Sequence, residues 1–417
     1  MNHAPLTRRQ FLASSAALTV GGWTLNGAPA EPKRIAAVVT EFRYNSHAEV
    51  IVGRWLEGYE LDGMGARPRS QLVALFTDQV PANDISRKLA DKHKIPIFPT
   101  IRETLCLGGE RLAVDGVLLI GEHGNYPLND KGQKLYPRRR FLEETARVFR
   151  AAGRSVPVFN DKHLAYNWEN AKWMYDQAVE LKIPFMAGSS GPTSWRLPGV
   201  ELAAGSPVEE GLSVGYGGHE SYGFHALEWL QCLMERRQGG ETGVVAVTCL
   251  EGPAVWQARD KVWSDALLKA AVATATEPPR KAQPEDACKN PLAFVIEYQD
   301  GRRATVLMLS GYVRELLFAA RVKGRSDPFA VNCWLQPERP FGHFTMLAQG
   351  IDAMFQTGKP QWPVERTLLT TGILDAALTS RFEGHQRLET PQLAIAYQPG
   401  PAWKQPPLPR TGPRPPL

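Results

Sequence analysis

Three polar segments of this 417-residue sequence contain side chains suited to acid–base chemistry. They are Asn160–His163 (NDKH), Gly121–His123 (GEH) and Tyr216–Glu228, which contains His225. Imidazoles and carboxylates exchange protons near neutral pH when a site adjusts their pKa. A lysine such as Lys162 hydrogen-bonds a substrate hydroxyl or stabilises charge on its oxygen. Proton transfer on a small polar substrate is the chemistry that these segments favour.

The first two segments follow apolar runs that predict buried strands. Strand and helix patterns alternate over the first part of the chain, which is typical of a doubly wound parallel sheet. The predicted strands are Arg34–Val39, Gln71–Thr77, Val114–Ile120 and Val156–Phe159, and the predicted helices are Ala48–Leu56, Asn83–Lys94 and Arg140–Ala152. Ligands of such sheets bind at the carboxyl ends of the strands. Glu122 and Lys162 are therefore expected to face a binding crevice.

The third segment leads into a predicted helix with His225 in its first turn. Phe224, Leu227 and Leu230 recur at helical spacing, and His225 lies one step round from that apolar stripe. The positive end of a helix lowers the pKa of a histidine and favours the neutral imidazole, which is a suitable general base. The same pattern also fits a core or capping histidine, so both interpretations stay open at this stage.

The turn between the first predicted strand and helix, Thr40–His47 (TEFRYNSH), contains no glycine. Glycines at this place let the backbone approach a pyrophosphate, which then binds at the helix start. Glu41 would repel a phosphate, whereas Arg43 and Asn45 offer polar contacts of another geometry. Asp78 ends the second strand, where a ribose-binding carboxylate is expected. The pattern predicts a dinucleotide-type fold with an altered phosphate site.

The second half of the chain predicts a different architecture, an α+β domain with a mixed or antiparallel sheet. Its predicted strands are Leu212–Tyr216, Val244–Leu250, Ala293–Gln299 and Ala304–Leu309, and its late helices are Phe344–Thr357 and Glu365–Ser380. Asp300-Gly301 between two strands indicates a hairpin. We therefore expect a Rossmann-like domain over residues 31–163, an α+β domain over 164–398 and a disordered proline-rich tail over 399–417.

Residues 1–30 resemble a twin-arginine export signal. Arg8-Arg9 is followed by Phe11 and Leu12, a weakly apolar run, and Ala28-Pro29-Ala30. Proteins with this signal cross the membrane already folded, through the twin-arginine export machinery. The sequence thus predicts a periplasmic or secreted protein that is exported folded.

Composition narrows the classes of partner. The formal net charge of +5 is scattered along the chain, which argues against a nucleic-acid-binding protein. The cluster Arg138–Arg140 is expected to be a solvated helix start, and no apolar stretch is long enough for a stable membrane anchor. The five cysteines show no C-x-x-C spacing, so no disulfide or zinc framework is predicted. The titratable residues near the strand ends show no diagnostic metal-ligand spacing either.

Four segments together carry a resemblance to a known family. Val114–Ile120 is similar to the family's "vDaVvi" strand, and Asn160–Leu164 stands where its Glu-Lys-Pro motif lies. Ile183–Gly188 matches "g-v-x-f-x-v-g", and Gly223–Glu228 resembles the "G-x-H-x-x-D" helix. The order of these segments resembles the Gfo/Idh/MocA oxidoreductases. Most members are NAD(P)-dependent enzymes that act on sugars, polyols and related compounds.

The resemblance implies roles for individual residues. It assigns Lys162 to substrate binding and His225 to the acid–base position, taking the proton of a secondary alcohol while a hydride goes to nicotinamide. Asp161 and His163 replace the family's glutamate and proline, and Glu220 is the nearest substitute for an aspartate that precedes the catalytic histidine. The predicted catalytic residues are Lys162, His225 and Glu220; the predicted cofactor-binding residues are Thr40, Arg43, Asn45, Asp78, Glu122 and His123; the predicted substrate-binding residues are Asp161, His163 and Tyr222; no metal ligand is predicted.

The sequence therefore favours an exported oxidoreductase with NAD or NADP and a small-molecule carbohydrate substrate. The alternatives are a non-redox or redox-cycling carbohydrate lyase or glycoside hydrolase on the same scaffold, with or without a metal, and a non-catalytic sugar-binding protein. The resemblance also implies a homo-oligomer, formed through an exposed face of the second sheet.

Overall fold

The structure of the protein is a computed structural model that describes residues 31–279, 281 and 283–416. The predicted export signal lies outside the described residues. Residues 33–417 form one compact unit. Among the described residues, none of the helices combines the length and apolar composition that a membrane crossing requires.

Five parallel strands form the first sheet, in the order β2-β1-β3-β4-β5. The strands are β1 (Arg34–Val39), β2 (Gln71–Thr77), β3 (Gly116–Ile120), β4 (Val158–Asp161) and β5 (Phe185–Gly188), and the helices along this part of the chain are α1 (His47–Glu57), α2 (Ser86–His93), α3 (Ile101–Cys106), α4 (Arg138–Ala152) and α5 (Trp168–Glu180). Val39, Thr77 and Ile120 are paired across β1, β2 and β3, so the carboxyl ends of these strands meet at one edge. The predicted doubly wound sheet is confirmed.

This sheet is buried on both faces, which explains the continuous apolar runs of its strands. Successive side chains of a strand point to opposite faces. On β1, Ile35 and Val39 belong to the core against α1, whereas Ala36 and Val38 belong to the core against α4 and α5.

Eight strands form the second sheet, in the order β13-β8-β9-β10-β7-β11-β12-β6. The strands are β6 (Trp195–Leu197), β7 (Val208–Gly215), β8 (Val244–Glu251), β9 (Leu292–Tyr298), β10 (Arg303–Met308), β11 (Leu316–Val322), β12 (Phe329–Trp334) and β13 (Leu388–Glu389), and the helices are α6 (Ser221–Met234), α7 (Pro253–Gln257), α8 (Asp265–Val272), α9 (Pro284–Ala287), α10 (His343–Thr357) and α11 (Val364–Phe382). Short 3-10 helices span Gly191–Thr193 and Pro391–Leu393. β10 and β7 are parallel and the other neighbours antiparallel, so the predicted mixed sheet is confirmed, as is the β9–β10 hairpin.

The predicted domain boundary at residue 163 differs from the structure. β5 lies beyond that boundary and completes the first sheet. α10 returns from the second half of the chain, and its Leu347 and Ile351 join the core beside α1. The sequence did not indicate these exchanges, because an apolar strand or helix carries no label for the sheet that it joins.

Helices of the same chain pack on both faces of the second sheet. α6 and α11 pack on one face, and Leu267 and Leu268 of α8 pack on the other, against Leu212 and Leu317. Val245 of β8 is 37% exposed, so the helices cover this sheet only in part, and the exposed face stays a prediction. Oligomerisation itself stays a prediction.

The proline-rich tail was predicted to be disordered, and the structure differs. Residues 399–416 lack helices and strands but lie against the protein, with hydrogen bonds to it. Trp195 Nε1 donates to the carbonyl of Pro407 at 3.2 Å, and Gln336 Nε2 donates to that of Thr411 at 2.9 Å. Proline has no N–H but keeps its carbonyl, so side-chain donors elsewhere in the fold hold this segment.

Candidate active site

The carboxyl edge of the first sheet carries three residues in the left-handed backbone region. Asn45, His123 and Lys162 have φ values of 58°, 70° and 61°, and they follow β1, β3 and β4. This conformation is uncommon for residues with a side chain, and it concentrates at functional sites. These three residues therefore lie at the same carboxyl edge of the sheet at which the sequence predicted a binding crevice.

A cavity of about 690 Å³ lies at this edge, between the first sheet and strands of the second. Its volume is in the usual range for a small-molecule site. Four histidines line it, together with aromatic side chains and the polar residues that directly precede β11; the lining includes Asn45, His47, His123, Ser190, Tyr216, Tyr222, His225, Arg314, Glu315, Trp334 and His343.

Glu122 organises the charges behind the cavity. Lys162 Nζ lies 3.0 Å from one carboxylate oxygen, and Arg138 Nη2 lies 2.7 Å from the other. Burial alone would raise the pKa of Glu122, but the two cations outweigh it and hold that pKa well below its usual range. Glu122 therefore acts as a permanent anion that fixes the position of Lys162.

Arg138 was predicted to be solvated, but in the structure it is fully buried. Its second guanidinium nitrogen donates to His163 Nε2 at 2.9 Å. Burial and the Arg138 charge lower the pKa of His163. The sequence could not show this, because only the fold places the start of α4 beneath the ends of β3 and β4.

Asp161 and Glu220 form hydrogen bonds with neighbouring groups of the chain. Asp161 is buried, and one of its oxygens lies 2.6 Å from His47 Nδ1. Glu220 accepts from the backbone N–H of Lys134 at 3.0 Å and lies 3.6 Å from His163 Nε2. Glu220 is thus beside His163, and among the described contacts none joins it to His225; its catalytic role stays a prediction.

His225 lines the cavity, half-buried, with its Nδ1 3.0 Å from Ser189 Oγ. Burial holds its pKa well below the usual value, and the charge of Lys162 lowers it further. The helix begins at Ser221, so His225 lies in the second turn and not in the predicted first turn. The helix dipole was the predicted reason for a neutral imidazole. In the structure, burial and nearby cations lower the pKa of His225 instead.

Two further cavity histidines are neutral at pH 7. Burial lowers the pKa of His123 to about 4, with His47 as the next cause. Burial lowers the pKa of His343 to about 3, with Arg54 as the next cause. Neutral imidazoles exchange hydrogen bonds with hydroxyl groups without adding positive charge to the cavity.

The edge after β1 and β2 is closed by contacts within the chain. Thr40 Oγ1 donates to the carbonyl of Glu122 at 2.6 Å, and the backbone N–H of Gln79 donates to that of Thr40 at 2.7 Å. Arg43 pairs with Glu41 at 2.6 Å, and its Nη2 lies 3.2 Å from His123 Nδ1. The side chain of Arg43 therefore spans the space between the loops after β1 and β3.

The start of α1 already holds a carboxylate. Ser46 Oγ accepts from the backbone N–H of Glu49 at 3.3 Å, and Glu49 accepts from that of Asn45 at 3.2 Å. Glu49 is only 5% exposed and forms a two-bond pair with Arg339. An internal carboxylate stands at the helix terminus where this type of fold usually binds a pyrophosphate.

Asp78 is also engaged within the chain. It accepts from the Tyr126 hydroxyl at 2.7 Å and pairs with Arg140. Gln79 exchanges two side-chain hydrogen bonds with the backbone of Asn125, which links the loops after β2 and β3. These residues do not fit the usual pyrophosphate and ribose contacts of a dinucleotide. The cavity beside His225 does have room for the smaller reacting end of such a molecule.

The predicted site residues thus separate into three groups. Asn45, His123, Tyr222 and His225 line the cavity, and Lys162, Glu122, Asp161, His163 and Glu220 form the charged layer behind it. Thr40, Arg43 and Asp78 belong to the closed edge. Each assigned role remains a prediction.

Sequence reasoning missed Ser189, Glu228, Arg138 and His343. Ser189 directly follows β5 (Phe185–Gly188), so a search of polar residues at strand ends could have included it. His343 had no such signal, because it reaches the cavity only through the return of α10. Within the part of the chain that the structure describes, no group of three or more His, Cys, Asp or Glu side chains is arranged to hold a metal ion.

Comparisons with known proteins support the fold. No model of a known protein family matches this sequence, and no curated protein matches it either. Solved structures do match. GenD2 from gentamicin A biosynthesis, in complex with NAD, is 14% identical, with a TM-score of 0.54 over 86% of this chain and 96% of that one.

Two inositol dehydrogenases share the same architecture. Apo scyllo-inositol dehydrogenase from Lactobacillus casei is 10% identical, with a TM-score of 0.53 over 86% of this chain and 98% of that one. Myo-inositol 2-dehydrogenase from Lactobacillus plantarum is 13% identical, with a TM-score of 0.50 over 86% and 99%. These similarities confirm the predicted fold, a Rossmann-like sheet followed by a mixed-sheet domain.

Proposed function

We propose that this chain is an oxidoreductase that acts on a secondary alcohol of a sugar, polyol or related carbohydrate, with NAD or NADP as cofactor. The observation that carries the proposal is the cavity in which a neutral His225 lies near the ammonium group of Lys162. Support also comes from the fold, since solved structures of the same fold include a complex with NAD and inositol dehydrogenases.

The chain's own residues account for binding and for proton transfer. His225 takes the hydroxyl proton, and Lys162, held by Glu122, stabilises the negative charge that develops on the oxygen. Tyr216 and Tyr222 pack together at 5.0 Å between ring centroids and offer an aromatic wall for a sugar ring. A nicotinamide supplies the hydride acceptor in such reactions, and because the usual phosphate contacts are absent, we derive no step through it.

The first experiment asks whether a dinucleotide is retained. The folded protein is purified and denatured, and the released small molecules are searched by mass for NAD and NADP. About one molecule per chain supports the oxidoreductase proposal. No released cofactor, together with no binding of added NAD or NADP, overturns it.

A fragment experiment tests where the dinucleotide is held. Because the edge after β1 and β2 is closed, ADP-ribose, which lacks the nicotinamide, is expected not to compete with NAD at millimolar concentration. Competition at micromolar concentration would mean that these loops open in solution and that the adenosine half binds there.

A redox-neutral carbohydrate lyase or hydrolase is the second candidate, and the closed edge is the observation that favours it. The same His225 and Lys162 would then remove a proton from a carbon beside a carbonyl or protonate a leaving oxygen. Absence of a dinucleotide, with turnover of a carbohydrate that depends on His225, would select this candidate.

We also propose export by the twin-arginine route, on the sequence of residues 1–30 alone. The double substitution Arg8→Lys and Arg9→Lys is expected to retain the protein inside the cell in folded form. Cell fractionation measures this, and unchanged secretion of the double variant would contradict the proposal.

A further inference from the structure

We propose that Ser189 and Glu228 form a proton relay that sets which ring nitrogen of His225 carries the proton. The proposal rests on the acid–base role of His225 and adds two positioning residues to it. Ser189 Oγ lies 3.0 Å from His225 Nδ1 and is also hydrogen-bonded to Glu228 Oε2. His225 therefore has a polar chain behind the ring that ends on a carboxyl group.

The fold holds this chain rigidly and away from water. Glu228 follows His225 by three residues on α6, a spacing that places both on one side of the helix. Both carboxylate oxygens lie 3.0 Å from the backbone N–H of Ser189, which fixes the carboxyl group against the end of β5. Glu228 is 1% exposed and Ser189 3% exposed, so solvent does not replace these contacts.

A glycine makes this close approach possible. Gly188 has φ +124°, and a Cβ at that position would lie 2.1 Å from Glu228 Oε1. Any side chain there would push the carboxyl group away from Ser189. The glycine that ends β5 is thus required by the contact and not only by the turn.

The direction of the hydrogen bonds follows from counting protons. An ionised carboxylate only accepts, and a serine hydroxyl has a single proton to donate. When Glu228 is ionised, the Ser189 proton points to Glu228, and Ser189 Oγ accepts the proton of His225 Nδ1. Nε2 then has a free lone pair, which is the form of a general base.

Protonation of Glu228 reverses the direction of both hydrogen bonds in the relay. The carboxyl proton then points to Ser189 Oγ, and the Ser189 proton points to His225 Nδ1. Nε2 must carry the ring proton in this state, which is the form of a general acid.

The relay solves an energetic difficulty in the cavity. Burial disfavours a charged imidazolium at His225. If Nε2 takes the proton of a substrate hydroxyl, the Nδ1 proton passes to Ser189 and the Ser189 proton passes to Glu228. One proton is transferred in total, the imidazole stays neutral, and the negative charge moves from Glu228 to the substrate oxygen beside Lys162. Burial raises the pKa of Glu228 to about 7, so it accepts a proton readily near neutral pH.

Nitrogen NMR of the full protein with 15N-labelled histidine tests the relay without substrate or cofactor. The signals of His225 are assigned by their loss in the His225→Gln variant. We expect the wild type to carry the proton on Nδ1 at about pH 9 and on Nε2 at about pH 5, because Glu228 titrates between them. The charged and titratable groups that face His225 are Lys162, His47, Glu122 and His163, and those that face Glu228 are Arg366 and Asp161.

Glu228→Gln is the decisive variant because it preserves shape. Its amide NH2 donates to Ser189 Oγ, so the ring proton is expected on Nε2 at every pH. Ser189→Ala interrupts the relay, and the His225 signals should then no longer follow the titration of Glu228. Nδ1–H in Glu228→Gln at about pH 9, or an unchanged pH response in Ser189→Ala, would overturn the proposal.

This test separates the relay from the proposed function. A tautomer that switches in a protein that neither retains nor binds NAD or NADP supports the relay and rejects the oxidoreductase. A retained cofactor with a tautomer that ignores Glu228 does the opposite. Thermal unfolding of each variant shows that the comparison is made between folded proteins.

Discussion

The carboxyl edge of the first sheet has two parts that differ in how their polar groups are hydrogen-bonded. After β1 and β2, the loops are joined by Thr40, Gln79 and Asp78, whose polar groups find partners within the chain. The loops after β3, β4 and β5, together with Asn45 and His47 near the start of α1, border a cavity and leave buried polar atoms without described partners, among them His123 Nε2 and Asp161 Oδ1. Satisfied groups stabilise a fold, whereas unsatisfied groups at a cavity are available for a ligand.

This difference indicates which part of the edge carries the reactive groups. In a doubly wound sheet the whole carboxyl edge is open to ligands in principle. Here the chain uses half of that edge for its own loops and keeps the other half for acid–base groups. Substitutions at the open half should therefore change reactivity or its pH dependence, whereas substitutions at the closed half should leave turnover unchanged.

The largest effect is expected for His225→Gln. Loss of a general acid–base group lowers kcat by about 10²- to 10⁴-fold, measured on the sugar or polyol that the protein turns over. His385→Gln is the matched control, since His385 is exposed and lies outside the cavity. Wild-type turnover in His225→Gln would move the reacting group elsewhere on the open half.

Glu122→Gln should cost most in stability. The amide keeps the shape but leaves the buried cations of Lys162 and Arg138 without their carboxylate, at a cost of about 3–5 kcal/mol in the free energy of unfolding. Urea unfolding measures it. The control Glu251→Gln removes a partly exposed pair with Arg381 and should cost about 0–1 kcal/mol. Equal losses in both variants would show that the charged layer is solvated.

The neutral histidines of the open half predict a loss of stability in acid. The folded pKa values of His123 and His343, about 4 and about 3, lie below the ordinary 6.5, so the unfolded chain binds these protons first. Their contribution is complete above pH 6.5 and is lost as the pH falls toward 4.

Urea unfolding at a series of pH values checks this expectation. The slope between pH 6.5 and 4 should be smaller in His123→Gln and in His343→Gln than in the wild type. Glu228, whose pKa is raised to about 7, acts in the opposite direction between pH 4.5 and 7, so variants are compared with the wild type at each pH. Identical slopes would show that the two imidazoles are solvated.

The smallest effect is expected at the closed half. Gln79→Ala removes two hydrogen bonds between the loops after β2 and β3, and each such bond contributes about 1 kcal/mol or less. Turnover should be unchanged, because Gln79 does not line the cavity. A large loss of turnover with little loss of stability would contradict the division of the edge into two halves.

Prediction from the sequence succeeded where the signal is local. The alternation of apolar runs and helical patterns predicted β1 to β4 and the helices between them, because each pattern depends on neighbouring residues. The strand-end rule also placed Glu122, Lys162 and His123 at one edge. The prediction that Arg138 is solvated was wrong. A run of three arginines is typical of a charged surface, and only the packing of α4 on the sheet buries this residue.

The sequence by itself determined the fold class, the polar strand ends and the missing glycines of the Thr40–His47 turn. The tertiary structure alone decided which of those polar groups pair with each other and which face a cavity. The physical reason is distance along the chain: Thr40 meets Glu122, His47 meets Asp161 and His225 meets Ser189. Hydrogen bonds and burial set the charge of each group, and both depend on partners that only the folded chain brings together.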